Sequence, residues 1–219
     1  HKSIIISKKL KEKKMKLKTI LLAVLLAVST ISVYSQPTLS LGLEGGLNLG
    51  NVSITPSQTS NSRTGLIIGG VLDIGISRNI GVTTGLRYTM KGFQITNGGA
   101  TFTDKLNYLE VPALLKVKFP LTEVKPYLVG GPVLGIRVSA SEEQSNGTQT
   151  ADVDASSAYE SIDFGLLFGG GLDFNVANKT DLFIQAGYAF GLSNIWKQTT
   201  TVTVKNYGIQ ITGGVKFKL

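Results

Sequence analysis

Residues 162–175 read IDFGLLFGGGLDFN. Ile162, Phe164, Leu166, Phe168, Leu172 and Phe174 occupy one phase, and Asp163, Gly165, Gly169, Gly171, Asp173 and Asn175 the other. Successive side chains of a strand point to opposite faces, so this spacing predicts a β-strand with an apolar face and a face of glycine and carboxylate. The same pattern recurs along the chain. Leu39, Leu41, Leu43, Leu47 and Leu49 alternate with Ser40, Gly42, Glu44, Gly46 and Asn48. Leu66, Ile68, Leu72, Ile74 and Ile76 oppose Gly65, Gly69, Asp73 and Gly75, and Ile80, Val82, Leu86, Tyr88 and Met90 oppose Gly81, Thr83, Gly85, Arg87, Thr89 and Lys91. Leu109, Val111, Ala113, Leu115, Val117 and Phe119 oppose Tyr108, Glu110, Pro112, Lys116 and Lys118. Two further runs, 181–191 and 207–219, behave alike. Within 126–138 the phase is obscured at Gly130-Gly131-Pro132, where a bulge or kink is expected.

These runs amount to eight strands. Their joints alternate between short (77–79, 120–125, 175–179) and long and polar (51–63, 93–104, 139–161, 193–205). Short turns at one end and long loops at the other predict an all-β, eight-stranded antiparallel up-and-down transmembrane β-barrel, with extracellular loops and both termini periplasmic. A soluble lipocalin-like barrel would share the period but not the distribution of charge. Here glycine accompanies Glu44, Asp73, Arg87 and Glu110 on the polar face, which suits a lumen only wide enough to be filled by side chains. Unbroken rows of Leu, Ile, Phe and Val suit hydrocarbon. Phe119, Tyr127, Phe174 and Phe217 near the turns, and Tyr88, Phe190, Trp196 and Tyr207 near the loops, are expected to form two interfacial girdles.

The chain has 219 residues, a net charge of +8 and no Cys. Residues 1–35 hold eight lysines against the single acid Glu12, so from residue 36 onward bases and acids nearly balance. A nucleic-acid partner therefore loses its electrostatic support. From Met15, Lys16 and Lys18 precede the apolar run 20–28 and the small residues before Ser35, the pattern of a cleavable signal peptide over 15–35 with Gln36 as the mature N-terminus. The run is too short for a membrane-crossing helix. Residues 1–14 read as sequence upstream of the native start, and 36–219 as the barrel domain. The only histidine is His1, so Ser-His-Asp and Cys-His catalysis and His- or Cys-ligated zinc are unavailable to the barrel.

The segment Tyr108-Leu109-Glu110-Val111-Pro112-Ala113-Leu114-Leu115-Lys116 resembles a stretch of the PorT-type, or "porin family", outer-membrane β-barrel domain of Gram-negative bacteria. Lys125-Pro126-Tyr127-Leu128 with Gly130-Gly131-Pro132, Asp163-Phe164-Gly165 with Gly169-Gly170-Gly171, and Tyr188-Ala189-Phe190-Gly191-Leu192-Ser193-Asn194-Ile195 are similar to its later signatures. The resemblance covers 39–219 and implies an outer-membrane location, insertion by the barrel-assembly machinery, and a role in secretion or assembly. The ending Phe217-Lys218-Leu219 departs from the family's terminal aromatic, although Phe217 and Leu219 share the lipid face.

If the connection between the third and fourth strands is symmetric about residues 98 and 99, Arg87 and Glu110 lie opposite each other on the inward face. The expectation is an Arg87–Glu110 pair within a structural lumen network of Glu44, Asp73, Lys116 and Asp173, because buried charge is costly unless paired. Glu142, Glu143, Asp152, Asp154 and Glu160 in the third loop form no Asp-x-Asp-x-Asp-Gly pattern and read as a solvated acidic loop rather than a metal site. Gly169-Gly170-Gly171 lacks the Lys-Ser/Thr of a phosphate-binding loop. No catalytic, cofactor or metal residue is expected. The leading reading is a monomeric, non-enzymatic integral outer-membrane protein, bathed in outer-membrane lipid, whose loops meet an extracellular or envelope protein partner. The competing reading is a narrow channel or small-ligand carrier.

Overall fold

The computed structural model describes residues 38–97, 100–119, 121, 124–145, 150–199 and 201–219. The expected upstream segment and signal peptide lie outside these residues. Among the described residues nine strands follow one another: β1 (Thr38–Thr55), β2 (Asn61–Gly75), β3 (Ile80–Asn97), β4 (Ala100–Lys118), β5 (Val124–Ser145), β6 (Thr150–Asp154), β7 (Ile162–Ala177), β8 (Thr180–Gly191) and β9 (Thr203–Lys218). All pairings are antiparallel, in the order β4-β3-β2-β1-β9-β8-β7-β5, and β4 also pairs with β5. That last pairing closes an eight-stranded barrel.

The ninth strand, β6, was not expected. It pairs only with the far end of β5, from Ser141↔Asp154 to Ser145↔Thr150, beyond the point where β7 leaves β5 at Ile136↔Ile162. The long connections are also more ordered than their composition suggests. β1, β3, β4 and β5 continue well past the lipid-facing rows, and what reads as a loop over 93–104 is mostly the paired ends of β3 and β4, from Phe93↔Asp104 to Asn97↔Ala100. Beyond the membrane neither face of a strand meets hydrocarbon, so the apolar alternation that reveals a strand disappears while the backbone pairing persists.

Following the register around the barrel from Leu41 leads through Leu72, Thr84 and Ala113, across β5, β7, β8 and β9, and back to Asn51 on β1. A stagger of that size in eight strands corresponds to a tilt of roughly 40°. The outward rows of β1, β4 and β9 run 39–49, 109–119 and 207–217; at about 3.3 Å per residue and that tilt, each covers about 25 Å, the height of an outer-membrane apolar band. Leu43 and Ile68, each 66% exposed, and Leu86, at 57%, mark the lipid surface.

In β5 the alternation passes through Gly130-Gly131-Pro132 without interruption, contrary to expectation: Tyr127, Val129 and Val133 face inward, and Leu128 and Leu134 outward. The pattern is obscured because inward residues there are also apolar and pack with Leu114 and Leu167. The true irregularity lies further on, where Tyr108↔Arg137 gives way to Asn107↔Ser139 and Val138 is the extra residue. The bulge changes the inward phase, so that Ala140 is buried.

Glycine makes the narrow interior possible. Glu44 is flanked in the sheet by Gly69 and Gly214, and a Cβ on Gly69 would come within 2.5 Å of the Cα and Cβ of Arg87. Gly92 has φ +140°, a conformation disfavoured for other residues, and a Cβ there would collide with the Asp104 carbonyl oxygen. Gly45 faces outward, and a Cβ on it would have its nearest contact at 3.9 Å. Gly69→Leu should therefore lower stability by about 1–3 kcal/mol through overpacking, whereas Gly45→Leu should be neutral. The urea midpoint of the heat-modifiable folded band on gels measures both.

Candidate functional site

Inside the barrel, the inward phases of six strands bring together nine charged residues. On the turn side, Lys116 of β4 reaches Asp73 of β2 and Asp173 of β7, at 2.9 Å each. Lys216 of β9 reaches the same two carboxylates at 2.7 Å each, and Thr83 donates a 2.6 Å hydrogen bond to Asp73. Two lysines thus bridge two aspartates in a closed ring. The ring atoms sit among aromatic faces, with Lys116 Nζ 3.8 Å from the Tyr127 ring centre and Lys216 Nζ 4.8 Å from that of Phe183.

On the loop side, Arg87 and Glu110 are register partners and form a 3.0 Å ion pair. Glu110 also accepts from Lys91 at 2.7 Å and from the Thr89 hydroxyl at 2.9 Å, while Arg87 donates to Gln210 at 3.0 Å. Lys91 continues to Asp163 at 3.0 Å, whose carboxylate further accepts from Asn206 and from Ser193. The Tyr108 ring lies 4.9 Å from Lys91 Nζ. Each of these three lysines therefore meets two carboxylates and at least one aromatic ring. Such full pairing is what burial of charge requires.

Of the residues singled out from sequence, Asp73, Lys116 and Asp173 meet in the ring, and Arg87 and Glu110 meet in the loop-side cluster. Glu44 joins neither. It lines a cavity of about 20 Å³ between them, together with Asp73, Arg87, Gln185 and Lys216. A second cavity of about 20 Å³ lies beside Asn48, Lys91, Asp163 and Asn206. Each has room for about one water molecule. Sequence reasoning missed Lys91, Asp163 and Lys216, although all three stand on polar phases of apolar-alternating runs.

Above the charges sits an apolar plug. Val52, Phe93, Leu106, Tyr108, Ala140 and Val204 point inward from the strand extensions and pack against Ala158, Tyr159 and Ile195 of the last two long loops. Tyr108, Tyr159 and Ile195 are all essentially inaccessible. The two loops are joined by a β-bridge between Tyr159 and Trp196, whose rings meet edge-on at 5.3 Å, and by Glu160 N–H to Ile195 C=O at 2.7 Å. Arg137 fastens the third loop through its Ser156, Tyr159 and Glu160 carbonyls. The acidic residues Asp152, Asp154 and Glu160 are exposed, whereas Ala158 and Tyr159 of the same loop turn inward, and Glu143 pairs with Lys105.

The resemblance residues have physical roles in this assembly. Tyr108 seals the plug, Leu109 faces lipid, Glu110 holds Arg87 and Lys91, and Pro112 accepts the Thr84 hydroxyl. A Cβ on Gly191 would press on Asn206. Leu192 N–H bonds the Phe164 carbonyl, and the Asn194 side chain accepts from Trp196 and Val204 N–H groups, folding the last loop inward. Two girdle expectations are corrected: Tyr127 lies inside the barrel and Trp196 in the plug. Outside, Phe168, Tyr188, Phe190 and Tyr207 form one contiguous aromatic cluster across β7, β8 and β9.

A family model described as "Outer membrane protein beta-barrel domain" matches residues 34–197. The chain belongs to that family. Similar solved structures include Neisserial surface protein A, NspA, at 17% identity and TM-score 0.45, covering 84% of this chain and 100% of that one. OprG from Pseudomonas aeruginosa is 13% identical, with a TM-score of 0.43 and coverage of 84% and 95%. Ail, the attachment invasion locus protein of Yersinia pestis, is 15% identical, with a TM-score of 0.35 and coverage of 82% and 97%. No curated protein matches the chain. The outer-membrane barrel therefore presents its exposed rows to lipid and its paired charges to the lumen.

Two consequences of this interior can be measured. Asp73→Asn in the outer-membrane barrel leaves Lys116 and Lys216 to share Asp173, and should cost about 3–5 kcal/mol. Adding Lys216→Met should recover part of that loss, read as coupling in a double-mutant cycle of urea midpoints.

The second consequence concerns Asp104, which lies on β4 five residues beyond the lipid-facing row, accepts the Tyr159 hydroxyl at 2.7 Å and stands opposite Glu142. Burial raises its carboxyl from 3.8 to about 6, against the Tyr159 hydrogen bond and with help from Glu142. Because the folded state holds this proton more tightly than the unfolded state, the stabilisation is full below about pH 4 and is lost as pH rises through about 6. Trp196 is the chain's only tryptophan and rests on Tyr159. Its emission should move to the red over that pH range, and Asp104→Asn should abolish the movement.

Proposed function

We propose that this protein is a sealed, monomeric, non-enzymatic outer-membrane barrel whose work is done at its loop-side surface. The observation that carries this reading is the stacking inside the lumen: a closed lysine–aspartate ring, a second ion cluster and an apolar plug fill successive levels. Solute movement would require several buried ion pairs to break together, which makes the interior a support for the wall rather than a path.

The same arrangement favours a non-enzymatic role. The Ser193 hydroxyl, beside Lys91 and Asp163, donates to Asp163 and accepts from Phe164 N–H, so it is held as a structural link. The anchored loops then offer a fixed surface to an extracellular or envelope protein. The resemblance to PorT-type barrels supports a part in secretion or assembly for that contact, and insertion by the barrel-assembly machinery.

Planar-bilayer recording of the folded protein tests the sealed reading. The expected record is a baseline without steady steps; discrete, long-lived conductance steps would replace this reading with that of a narrow channel.

A further inference from the structure

The turn-side rim of the barrel carries a set of cations that the lumen does not use. Arg78 lies in the β2–β3 turn and Lys179 in the β7–β8 turn, both exposed. Lys118 ends β4, Lys125 is the second residue of β5 and Lys218 ends β9; all three are half-buried on the last lumen-facing rung, where there is no further barrel wall to confine a long side chain. Lys218 is paired with Asp181 at 3.0 Å. Arg78, Lys118 and Lys179 have no ion-pair partner among the described residues, and Lys125 adds only its field to the Asp181 carboxylate that Lys218 holds. Glu123, in the β4–β5 connection, lies outside those residues.

The rim is also fixed in place. Lys118 N–H bonds the Asn79 carbonyl at 2.7 Å, Phe119 N–H the Pro126 carbonyl at 2.8 Å, and Lys218 N–H the Lys179 carbonyl at 2.8 Å, so neighbouring turns and strand ends are tied together. Directly outside stand Phe119 and Phe217, each 49% exposed, at the lower edge of the lipid-facing rows. The cations therefore sit one step beyond the end of the apolar band, at the level of lipid head groups.

The loop end is mixed instead: Asp104, Glu142, Glu143, Asp152, Asp154 and Glu160 stand there with Arg63, Lys105, Arg137, Lys197 and Lys205, and Lys105 is engaged by Glu143 and Asp152. The excess of cations is therefore confined to the turn-side rim.

The geometry points to the turn-side rim as a surface that selects anionic phospholipid head groups in the periplasmic leaflet, through Arg78, Lys118, Lys125 and Lys179. Two arguments choose lipid as the occupant: the rim continues the lipid-facing band, and its charge complements a phosphate-bearing surface, since Asp181, the acidic side chain found among the described rim residues, is already paired with Lys218. A second copy of the chain is disfavoured because two such rims repel. The potential of the rim reaches neighbouring head groups within about 10 Å at moderate salt.

The test uses the folded protein in bilayers of phosphatidylcholine and phosphatidylglycerol, with spin-labelled forms of each lipid reporting the motionally restricted fraction at the barrel surface. Labelled phosphatidylglycerol should be enriched over phosphatidylcholine at least roughly twofold at low salt, with the preference shrinking as salt shortens the screening length. The quadruple variant Arg78→Gln, Lys118→Gln, Lys125→Gln, Lys179→Gln should lose the preference, while Lys197→Gln with Lys205→Gln at the loop end should keep it. Heat-dependent gel mobility verifies that each variant is folded. If the quadruple variant fails to fold, the turn-tip pair Arg78→Gln and Lys179→Gln should reduce the preference partway. Equal association of both lipids with the unaltered protein would overturn the proposal and leave the rim to an acidic periplasmic protein. A preference unchanged by the rim substitutions would overturn it too.

Discussion

The pairing of β4 with β5 is the constraint on which everything else rests. In hydrocarbon an N–H or C=O group without a partner costs several kcal/mol, and an open sheet would leave two whole edges in that state. Closing the sheet satisfies them all and fixes the circumference at eight strands. With that stagger the interior is too narrow for a water column and too wide to be left empty, so the identity of every inward residue matters. Glycines beside Glu44 and Arg87 and lysines bridging pairs of carboxylates answer the same demand for filling without unpaired charge.

The charge arrangement follows from that confinement. A carboxylate or ammonium in the barrel cannot neutralise itself by reaching water, so partners must come from other strands. Lys116, Lys216, Asp73 and Asp173 come from β4, β9, β2 and β7, and their ring therefore ties together walls that share no backbone hydrogen bonds. Lys91 and Asp163 do the same for β3 and β7. The ion pairs act as cross-braces in a shell whose backbone hydrogen bonds all run around its circumference.

At the loop end the physics changes from charge to apolar burial. Strand extensions beyond the membrane have no lipid to cover their surfaces, and the bulge at Val138 brings Ala140 into the inward phase. Tyr159 and Ile195 then fold onto Val52, Leu106 and Tyr108, and the two loops become part of the core instead of solvated connections. The loop surface on the far side of that plug is correspondingly anchored, whereas the turn end is held by short hydrogen-bonded connections and carries exposed cations.

The lipid-facing rows were legible in the sequence because hydrocarbon tolerates only apolar side chains, and a strand must present them at every second residue. The Arg87–Glu110 juxtaposition was legible for a related reason: both lie on one hairpin, where distance from the turn sets the register. The gathering of Lys216 with Asp73 and Asp173, or of Lys91 with Asp163, was not, because those residues are far apart in the chain and meet only across a barrel of a particular radius and stagger. The β5 bulge was misplaced because apolar residues on both faces concealed the phase, and the plug was hidden because its loops are polar on average and only a few of their side chains turn inward. Local alternation is enough to tell which face of each strand meets lipid, and hence that the chain forms a barrel. Which charges pair across the lumen and which loop residues seal it emerges with closure, since those choices depend on distances across the barrel and not on any local period.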